Sequence, residues 1–257
     1  MSDTTIVFYD IPFAEPNVCW SPNTWKTRYC LNYKGLPYRT EWVEYPDIEA
    51  LCKKIGAEAT GVDDDGVTPY YTLPVIYDPT TNRVISESFK IAIYLDATYP
   101  DTPRVLPPGT RGLQTSFNHL AMLRTYPHVG MFVRAKVYER LPRGKSQEYF
   151  KRTREISFGK KIEEWAPKGE DAIKAWQAFE NGLKLLDLPY QVAMEENEGD
   201  YLCGENPTFG DFALAGIFQW CKTGYGSDSE EWKEITGWQN GRWGKFLEDL
   251  DKYAKVV

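Results

Sequence analysis

The segment Leu73-Pro74-Val75-Ile76, followed by Val84-Ile85-Ser86-Glu87-Ser88, decides the fold of this chain. A proline inside an apolar strand removes one donor from the ladder of backbone hydrogen bonds, so Pro74 requires an edge, a bulge or a cis peptide bond. After the second apolar run, Glu87 and Ser88 stand where a helical pattern begins. Exposed backbone beside a proline, close to a helix N-terminus that carries a hydroxyl group, is suited to a small peptide-like anion.

The composition sets limits on the class of protein. The chain has 257 residues, 42% of them apolar, enough for one large domain or two smaller ones, and its net charge of -7 argues against a nucleic-acid partner. The five cysteines form no CxxC pair, which makes zinc and a disulfide framework improbable and fits a reducing compartment. With neither a leader peptide nor a membrane span visible, we expect a metal-free cytoplasmic protein that is not bound to a membrane.

The first hundred residues alternate between strand and helix patterns. Ser21 is a good N-cap, Pro22 suits the first helical position, and Gly35 ends the first helix. The predicted order is strand, helix, strand, helix, strand, strand, helix, at 4–10, 22–34, 38–45, 47–55, 71–77, 83–85 and 88–99. A right-handed crossover between the first two strands gives a thioredoxin-like order, βαβαββα.

The rest of the chain has helical periodicity. Pro100–Thr110 contains four prolines and a glycine and reads as a linker, and Thr208-x-x-Asp211 matches a capping box that starts a helix. Further helices are predicted at 111–140, 147–165 and 171–196, and one or two helices at 230–253. We therefore predict an α+β chain with a thioredoxin-like domain at 1–100, a linker at 101–110 and an all-helical domain at 111–257.

These motifs, in this order and over essentially the whole chain, resemble the cytosolic glutathione transferases. The stretch Ser-Pro-Asn-Thr-Trp-Lys-Thr-Arg at 21–28 is similar to that of the serine-type enzymes of wood-decay fungi, the fungal-specific A class, and of the related bacterial lignin β-etherases. The Asp-rich insertion at 61–66, before the third strand of the thioredoxin-like unit, also suits that group. The resemblance implies that glutathione is the co-substrate.

In this family Ser21 would donate its hydroxyl hydrogen to the sulfur of glutathione. A free thiol has a pKa of about 8.5, and each unit of lowering needs about 1.4 kcal/mol of preferential thiolate stabilisation. The positive end of the first helix adds to that stabilisation. Three alternatives stay open: Ser21 is a plain N-cap, Tyr9 at the end of the first strand holds the sulfur, or Cys19 forms a mixed disulfide with glutathione.

The resemblance also implies how glutathione is held. Its peptide backbone would pair with Leu73 beside Pro74, whose peptide bond we predict to be cis. Glu87 would pair with the amino group of the γ-glutamyl end, and Ser88 would bind its carboxylate at the helix N-terminus.

Three residues of the first helix complete the predicted glutathione site. Asn23 would support the sulfur or the glycyl end. Trp25 and Lys26 lie one turn into the helix, where Lys26 is either a ligand of the glycyl carboxylate or a solvated lysine.

We expect the second substrate to lie between the two halves of the chain. The candidate walls of its pocket are Phe13, Trp20, Phe117, Met122 and Tyr126. Aromatic walls favour flat compounds, and the resemblance implies wood-derived polyphenols. The expected activity is conjugation of glutathione to aromatic electrophiles, a detoxification reaction, or thiolytic cleavage of aryl ethers, in a homodimer. Alternatives are a binding or transport protein for aromatic compounds and a reductase that acts through Cys19.

Overall fold

A four-stranded mixed sheet with flanking helices forms the first half of the computed structural model, which describes residues 4–63, 65–196 and 198–257. Its elements are β1 (Ile6–Asp10), α1 (Pro22–Lys34), β2 (Tyr38–Trp42), α2 (Ile48–Ile55), β3 (Gly61–Val62), β4 (Pro69–Tyr70), β5 (Val75–Asp78), β6 (Arg83–Ser86) and α3 (Ser88–Thr98). The strand order in the sheet is β2-β1-β5-β6, with β1 and β2 parallel and the other pairs antiparallel.

The second half is helical. Its helices are α4 (Arg111–Glu139), α5 (Lys145–Phe158), α6 (Gly169–Glu195), α7 (Phe209–Tyr225) and α8 (Glu230–Leu250). Together the two halves confirm the predicted fold class, a thioredoxin-like unit followed by a helical bundle. In the described part of the chain, no helix has both the length and the apolar character needed to cross a membrane.

The structure departs from several predicted boundaries. The second strand ends at Trp42 rather than at 45. The third strand of the main sheet begins at Val75 rather than at 71, after Pro74, which has no N–H to donate to a ladder. The predicted helix at 147–165 ends at Phe158, because Gly159 takes the left-handed conformation. The segment predicted as one or two helices at 230–253 contains two, joined at Trp238–Gly241, where the backbone is not helical.

The polar insertion folds into a short hairpin that the sequence patterns did not predict. Gly61 pairs with Tyr70 across β3 and β4. The Asp65 carboxylate accepts hydrogen bonds from the backbone N–H groups of Val67 and Thr68, which closes the turn. Residue 64 of this insertion lies outside the described residues. The hairpin places Tyr70 beside the segment that leads to Pro74.

The capping box at the start of α7 forms as predicted. The Asp211 carboxylate accepts hydrogen bonds from the backbone N–H and the hydroxyl of Thr208, at 2.7 and 2.8 Å. Its other oxygen accepts the N–H of Leu202, at 3.0 Å. Asp211 therefore ties the helix N-terminus to the preceding loop and acts in folding.

Close packing of α1 against α7 joins the two halves of the chain. A Cβ atom on Gly216 would lie 2.6 Å from the Pro22 carbonyl oxygen, so only glycine permits this approach. The rings of Tyr29 and Phe212 stack at 5.5 Å, and the Gln219 amide donates a hydrogen bond to the Tyr29 hydroxyl at 2.8 Å. The start of α1 is thereby held against the helical half.

A buried ion pair fixes α1 on the sheet. The Arg28 guanidinium contacts the Asp10 carboxylate at 2.7 Å, and both side chains are fully buried. Asp10 also accepts the backbone N–H of Ile11, and Arg28 donates to the hydroxyls of Tyr38 and Thr40. Such a pair stabilises the fold only while both partners are present, because either charge alone would be buried without compensation.

Replacing Asp10 with Ala should lower the free energy of unfolding by about 3–5 kcal/mol, because the Arg28 charge stays buried. Urea denaturation of the wild type and the variant measures the loss. The double variant Asp10→Leu/Arg28→Met should recover part of it. Lys53→Met, which removes a solvent-exposed ion pair with Glu49, is the control and should unfold like the wild type. Equal effects of Asp10→Ala and Lys53→Met would contradict the expectation.

Candidate active site

A cavity of about 200 Å³ opens where the N-terminus of α1 meets the segment before Pro74. Ser21 and Asn23 line it from α1, and Leu73 lines it from the opposite segment. Tyr149 and Arg154 close it from α5, in the helical half. Three of the residues predicted for the glutathione site thus share one cavity with two residues that the sequence patterns did not single out.

Ser21 does not use its hydroxyl as a helix cap. Its backbone carbonyl accepts hydrogen bonds from the Trp25 N–H and the Thr24 hydroxyl, both at 3.1 Å. Among the described residues its hydroxyl has no hydrogen-bond partner. The hydroxyl therefore lines the cavity with its hydrogen available, at the positive end of the α1 dipole.

The Leu73–Pro74 peptide bond is cis, as predicted. In the described structure, neither the N–H nor the carbonyl of Leu73 forms a backbone hydrogen bond, so both are available to a ligand in the cavity. The Pro74 carbonyl accepts the N–H of Glu87 at 3.3 Å, which places the start of α3 beside this segment.

Glu87 caps α3 with its own side chain. Its carboxylate accepts hydrogen bonds from the N–H groups of Phe89 and Lys90 and from the Ser88 hydroxyl, at 3.0 to 3.2 Å. Its φ angle is +75°, a conformation that non-glycine residues rarely adopt and that is concentrated at functional sites. Glu87 and Ser88 are close to Pro74 but do not line the cavity that contains Ser21.

Lys26 is buried, which excludes the solvated lysine considered above. Its ammonium group donates to the Asn23 side-chain oxygen at 3.1 Å and lies 3.9 Å from the Met122 sulfur. Burial lowers the pKa of Lys26 to about 8, and the nearby Glu87 carboxylate opposes that shift. Because Lys26 occupies the oxygen of Asn23, the NH₂ group of that amide is left as a donor.

The two rival sulfur partners do not line the cavity. Tyr9 pairs with Glu41 of β2, and burial, together with the Glu41 carboxylate, raises its pKa. The Cys19 thiol is buried 3.6 Å from the Thr24 hydroxyl, and burial and the Asp10 carboxylate raise its pKa well above the usual range. A thiol in that state is a poor nucleophile, since the thiolate is the reactive form.

A second cavity, of about 440 Å³, adjoins the first. Asp63, Tyr70, Tyr149 and Arg154 line both cavities. The remaining walls come from α5 and β3, and they are Val62, Thr153, Ile156, Ser157 and Phe158. The hairpin and α5 therefore form a largely aromatic and aliphatic chamber that continues from the site of Ser21.

Comparison with known proteins identifies the family. Residues 20–98 match the model of the glutathione S-transferase N-terminal domain, and residues 112–253 match that of the glutathione S-transferase C-terminal domain. The glutathione S-transferase-like protein ustS of Aspergillus flavus is 32% identical over 261 residues, which cover 93% of this chain and 87% of that protein. This chain belongs to the glutathione S-transferase family.

Solved structures agree with this assignment. The transferase is 46% identical to glutathione transferase GSTFuA3 of Phanerochaete chrysosporium, with a TM-score of 0.90 and full coverage of both chains. It is 44% identical to a Ceriporiopsis subvermispora glutathione S-transferase solved in complex with glutathione, with a TM-score of 0.91 and coverage of 98% and 99%. The predicted resemblance to fungal transferases is confirmed.

Family membership makes glutathione the co-substrate of this transferase. The cavity fits such a ligand, because it combines a free hydroxyl on Ser21, an amide donor on Asn23 and unpaired backbone on Leu73. In the ranges 4–63, 65–196 and 198–257, no group of three or more His, Cys, Asp or Glu side chains is arranged to hold a metal ion.

The remaining predicted site residues of the transferase pack into the protein. The Trp25 indole donates to the Cys19 carbonyl at 3.1 Å and supports the loop before Ser21. Phe13 and Trp20 are both buried, and the centres of their rings lie 6.1 Å apart. They therefore support the site rather than line either cavity.

The helical residues predicted for the second pocket are also packed. Phe117 lies against Tyr190 in the helical core. Tyr126 packs against Trp220, and Met122 touches Lys26. None of the three lines the two cavities, whose helical wall is α5 instead. The basic and aromatic residues of α5 were visible in the sequence, but helical periodicity alone does not show which face meets a cavity.

The low pKa of Lys26 should make the stability of this transferase depend on pH. The unfolded chain holds the Lys26 proton up to a pKa of about 10.4 and the folded chain only up to about 8, so stability rises with pH between these values. Between about pH 7 and about pH 9, the free energy of unfolding of the wild type should rise by about 1 kcal/mol relative to that of Lys26→Met. Urea denaturation at both pH values measures this change. A difference that does not vary with pH would contradict it.

Proposed function

We propose that this transferase conjugates glutathione to electrophilic aromatic compounds and that Ser21 stabilises the glutathione thiolate. The observation that carries the proposal is the Ser21 hydroxyl, which lines the cavity at the start of α1 with no cap bond to make. A hydroxyl donor and a helix N-terminus both favour an anion over a neutral thiol. The thiolate then attacks an electrophilic carbon, forming a C–S bond while the leaving group takes the electron pair of the broken bond.

The rest of the proposed glutathione site combines groups that line the cavity with the start of α3, which lies beside Pro74. We propose that the backbone of Leu73 pairs with the cysteinyl unit and that Glu87 and Ser88 hold the γ-glutamyl end. Asn23 offers its NH₂ group to the sulfur or to the glycyl end. Lys26 is a positioning residue, because its ammonium group holds the Asn23 oxygen at 3.1 Å.

The second substrate is proposed to occupy the second cavity, between the proposed domains 1–100 and 111–257. The rings of Tyr70, Tyr149 and Phe158 line it and suit flat aromatic compounds, including polyphenols. Cleavage of an aryl ether by the thiolate uses the same geometry, with a phenolate as leaving group. We place this activity, and a role in detoxification, in the cytoplasm.

Replacing Ser21 with Ala should lower turnover more than about tenfold, equivalent to about 1.4 kcal/mol of transition-state stabilisation, while glutathione still binds. Kinetics with a chromogenic aryl halide and with an isothiocyanate measure the turnover. Calorimetry measures binding, and thiolate absorbance as a function of pH gives the pKa of the bound thiol, which should rise in the variant.

Tyr9→Phe and Cys19→Ser are the matched controls for Ser21→Ala, and both should keep wild-type turnover. If Ser21→Ala keeps the wild-type rate and one of the controls loses activity, stabilisation of the glutathione sulfur would be assigned to the residue replaced in that control. Tight binding of aromatic ligands by a wild-type protein without turnover would instead support a binding or transport protein.

We also propose that the protein is a homodimer joined through α4 and α6. Gly182 of α6 packs against the backbone of Arg124 of α4, so the two helices share one face. Both helices expose large apolar side chains to solvent, including Leu123 of α4 at 68% and Leu188 of α6 at 50%. A broad apolar face of this kind marks an interaction site.

Light scattering should give the wild type twice the mass of one chain. Leu123→Glu/Leu188→Glu places two buried charges on each side of the proposed interface and should give a single-chain mass. Val67→Glu, at an exposed apolar residue of the hairpin, is the control and should stay dimeric. A wild type that has the mass of one chain would disprove the proposal.

A further inference from the structure

Arg154 is held at the junction of the two cavities. Its guanidinium lies 5.0 Å from the ring centre of Tyr45 and 4.7 Å from that of Phe150. It also donates to the Thr153 hydroxyl at 2.9 Å. The stacking fixes the orientation of the group, while its remaining N–H donors stay available.

Arg134 of α4 lies in an aromatic box whose outer wall belongs to the second cavity. Its guanidinium is 5.4 Å from the ring centres of both Phe158 and Trp220, and Phe158 lines that cavity. The side chain folds back over Gly130, where a Cβ atom would lie 2.5 Å from its Nη1 atom. Burial lowers the pKa of Arg134, and the positive charge of Arg154 contributes to that shift.

No carboxylate pairs with either guanidinium in the described part of the chain. The acceptors are the Thr153 hydroxyl for Arg154 and the Met131 sulfur, at 3.9 Å, for Arg134. The chain carries a net charge of -7, yet among its described residues these two neighbouring cations have no carboxylate partner. Partly burying unpaired charges lowers the stability of the folded protein. The Tyr126 hydroxyl and the Trp220 indole N–H, whose rings Arg134 contacts, are also buried without a hydrogen-bond partner there.

We propose that Arg154 forms a carboxylate subsite of the second cavity, that Arg134, behind the Phe158 ring, adds positive charge to it, and that an aromatic acid is the substrate or ligand that supplies the carboxylate. Arginine binds carboxylates through two parallel hydrogen bonds, and the rings of Tyr70 and Tyr149 offer the aromatic part of the acid its walls. The inference rests on the second-substrate site of the proposed function and adds the charge of the compound that it accepts.

Glutathione also carries carboxylates, and Arg154 lines the cavity of Ser21 as well. The experiment therefore has two arms. In the first, calorimetry measures the binding of 2-naphthoate and of its neutral amide, 2-naphthamide. In the second, it measures the binding of S-methylglutathione, whose thiol is blocked. Both arms measure binding and do not require turnover. Their outcome therefore does not depend on whether Ser21 has the proposed role in the reaction.

Arg154→Met should weaken 2-naphthoate binding at least about tenfold, Arg134→Met should weaken it less, and both should change 2-naphthamide binding less than about twofold. Arg154→Lys keeps the charge and should recover part of the affinity, and high salt should weaken the binding of naphthoate, but not of naphthamide, to the wild type. Arg143→Met, which removes an exposed arginine before α5, is the matched control and should bind both compounds like the wild type. Circular dichroism confirms that each variant is folded.

Three results would overturn the proposal. The first is equal binding of naphthoate and naphthamide by the wild type. The second is unchanged naphthoate binding in folded Arg154→Met. The third is a tenfold loss of S-methylglutathione affinity in the variants with naphthoate binding unaffected, which would assign the arginines to glutathione.

Discussion

The buried ion pair between Asp10 and Arg28 anchors α1, whose first turn follows Ser21, on the sheet. It attaches α1 to the end of β1 with two charges that are fully removed from water. In the same interior, the Cys19 thiol lies against Thr24 and close to Asp10, and its pKa is raised. The chain then emerges at Ser21, whose hydroxyl reaches the cavity. The burial and raised pKa of Cys19 beside this charge pair support the proposal that Ser21 rather than Cys19 serves the sulfur.

The parts of the molecule that local sequence specifies could be predicted. Gly35 and Gly56 end their helices in the left-handed conformation, and the order of strands and helices follows from periodicity. Ser21 and Leu73, which line the cavity, were predicted for the same reason, since each belongs to a short motif. Arg154 also lines the cavity but was not predicted, because its position there depends on how α5 lies relative to the hairpin. The burial of Lys26 likewise depends on packing between distant segments.

Glu87 has a structural role beside the proposed glutathione site. Capping α3 uses its carboxylate, and its positive φ angle turns the backbone so that the N–H meets the Pro74 carbonyl. An unfavourable backbone conformation persists only where the surroundings determine it. The two halves of the opening motif, 73–76 and 84–88, are therefore one structural unit that is closed by this hydrogen bond.

The walls of the cavity differ in how many substitutions they can tolerate. The surface proposed to hold the sulfur lies at the start of α1, and α1 packs so closely on α7 that a Cβ atom at Gly216 would clash with it. The opposite walls come from a short, exposed hairpin and from one face of α5. After gene duplication, copies could exchange residues in those two elements at little cost in stability. New substrate ranges can therefore arise by substitutions in the hairpin and α5, whereas the packed contact between α1 and α7 tolerates few.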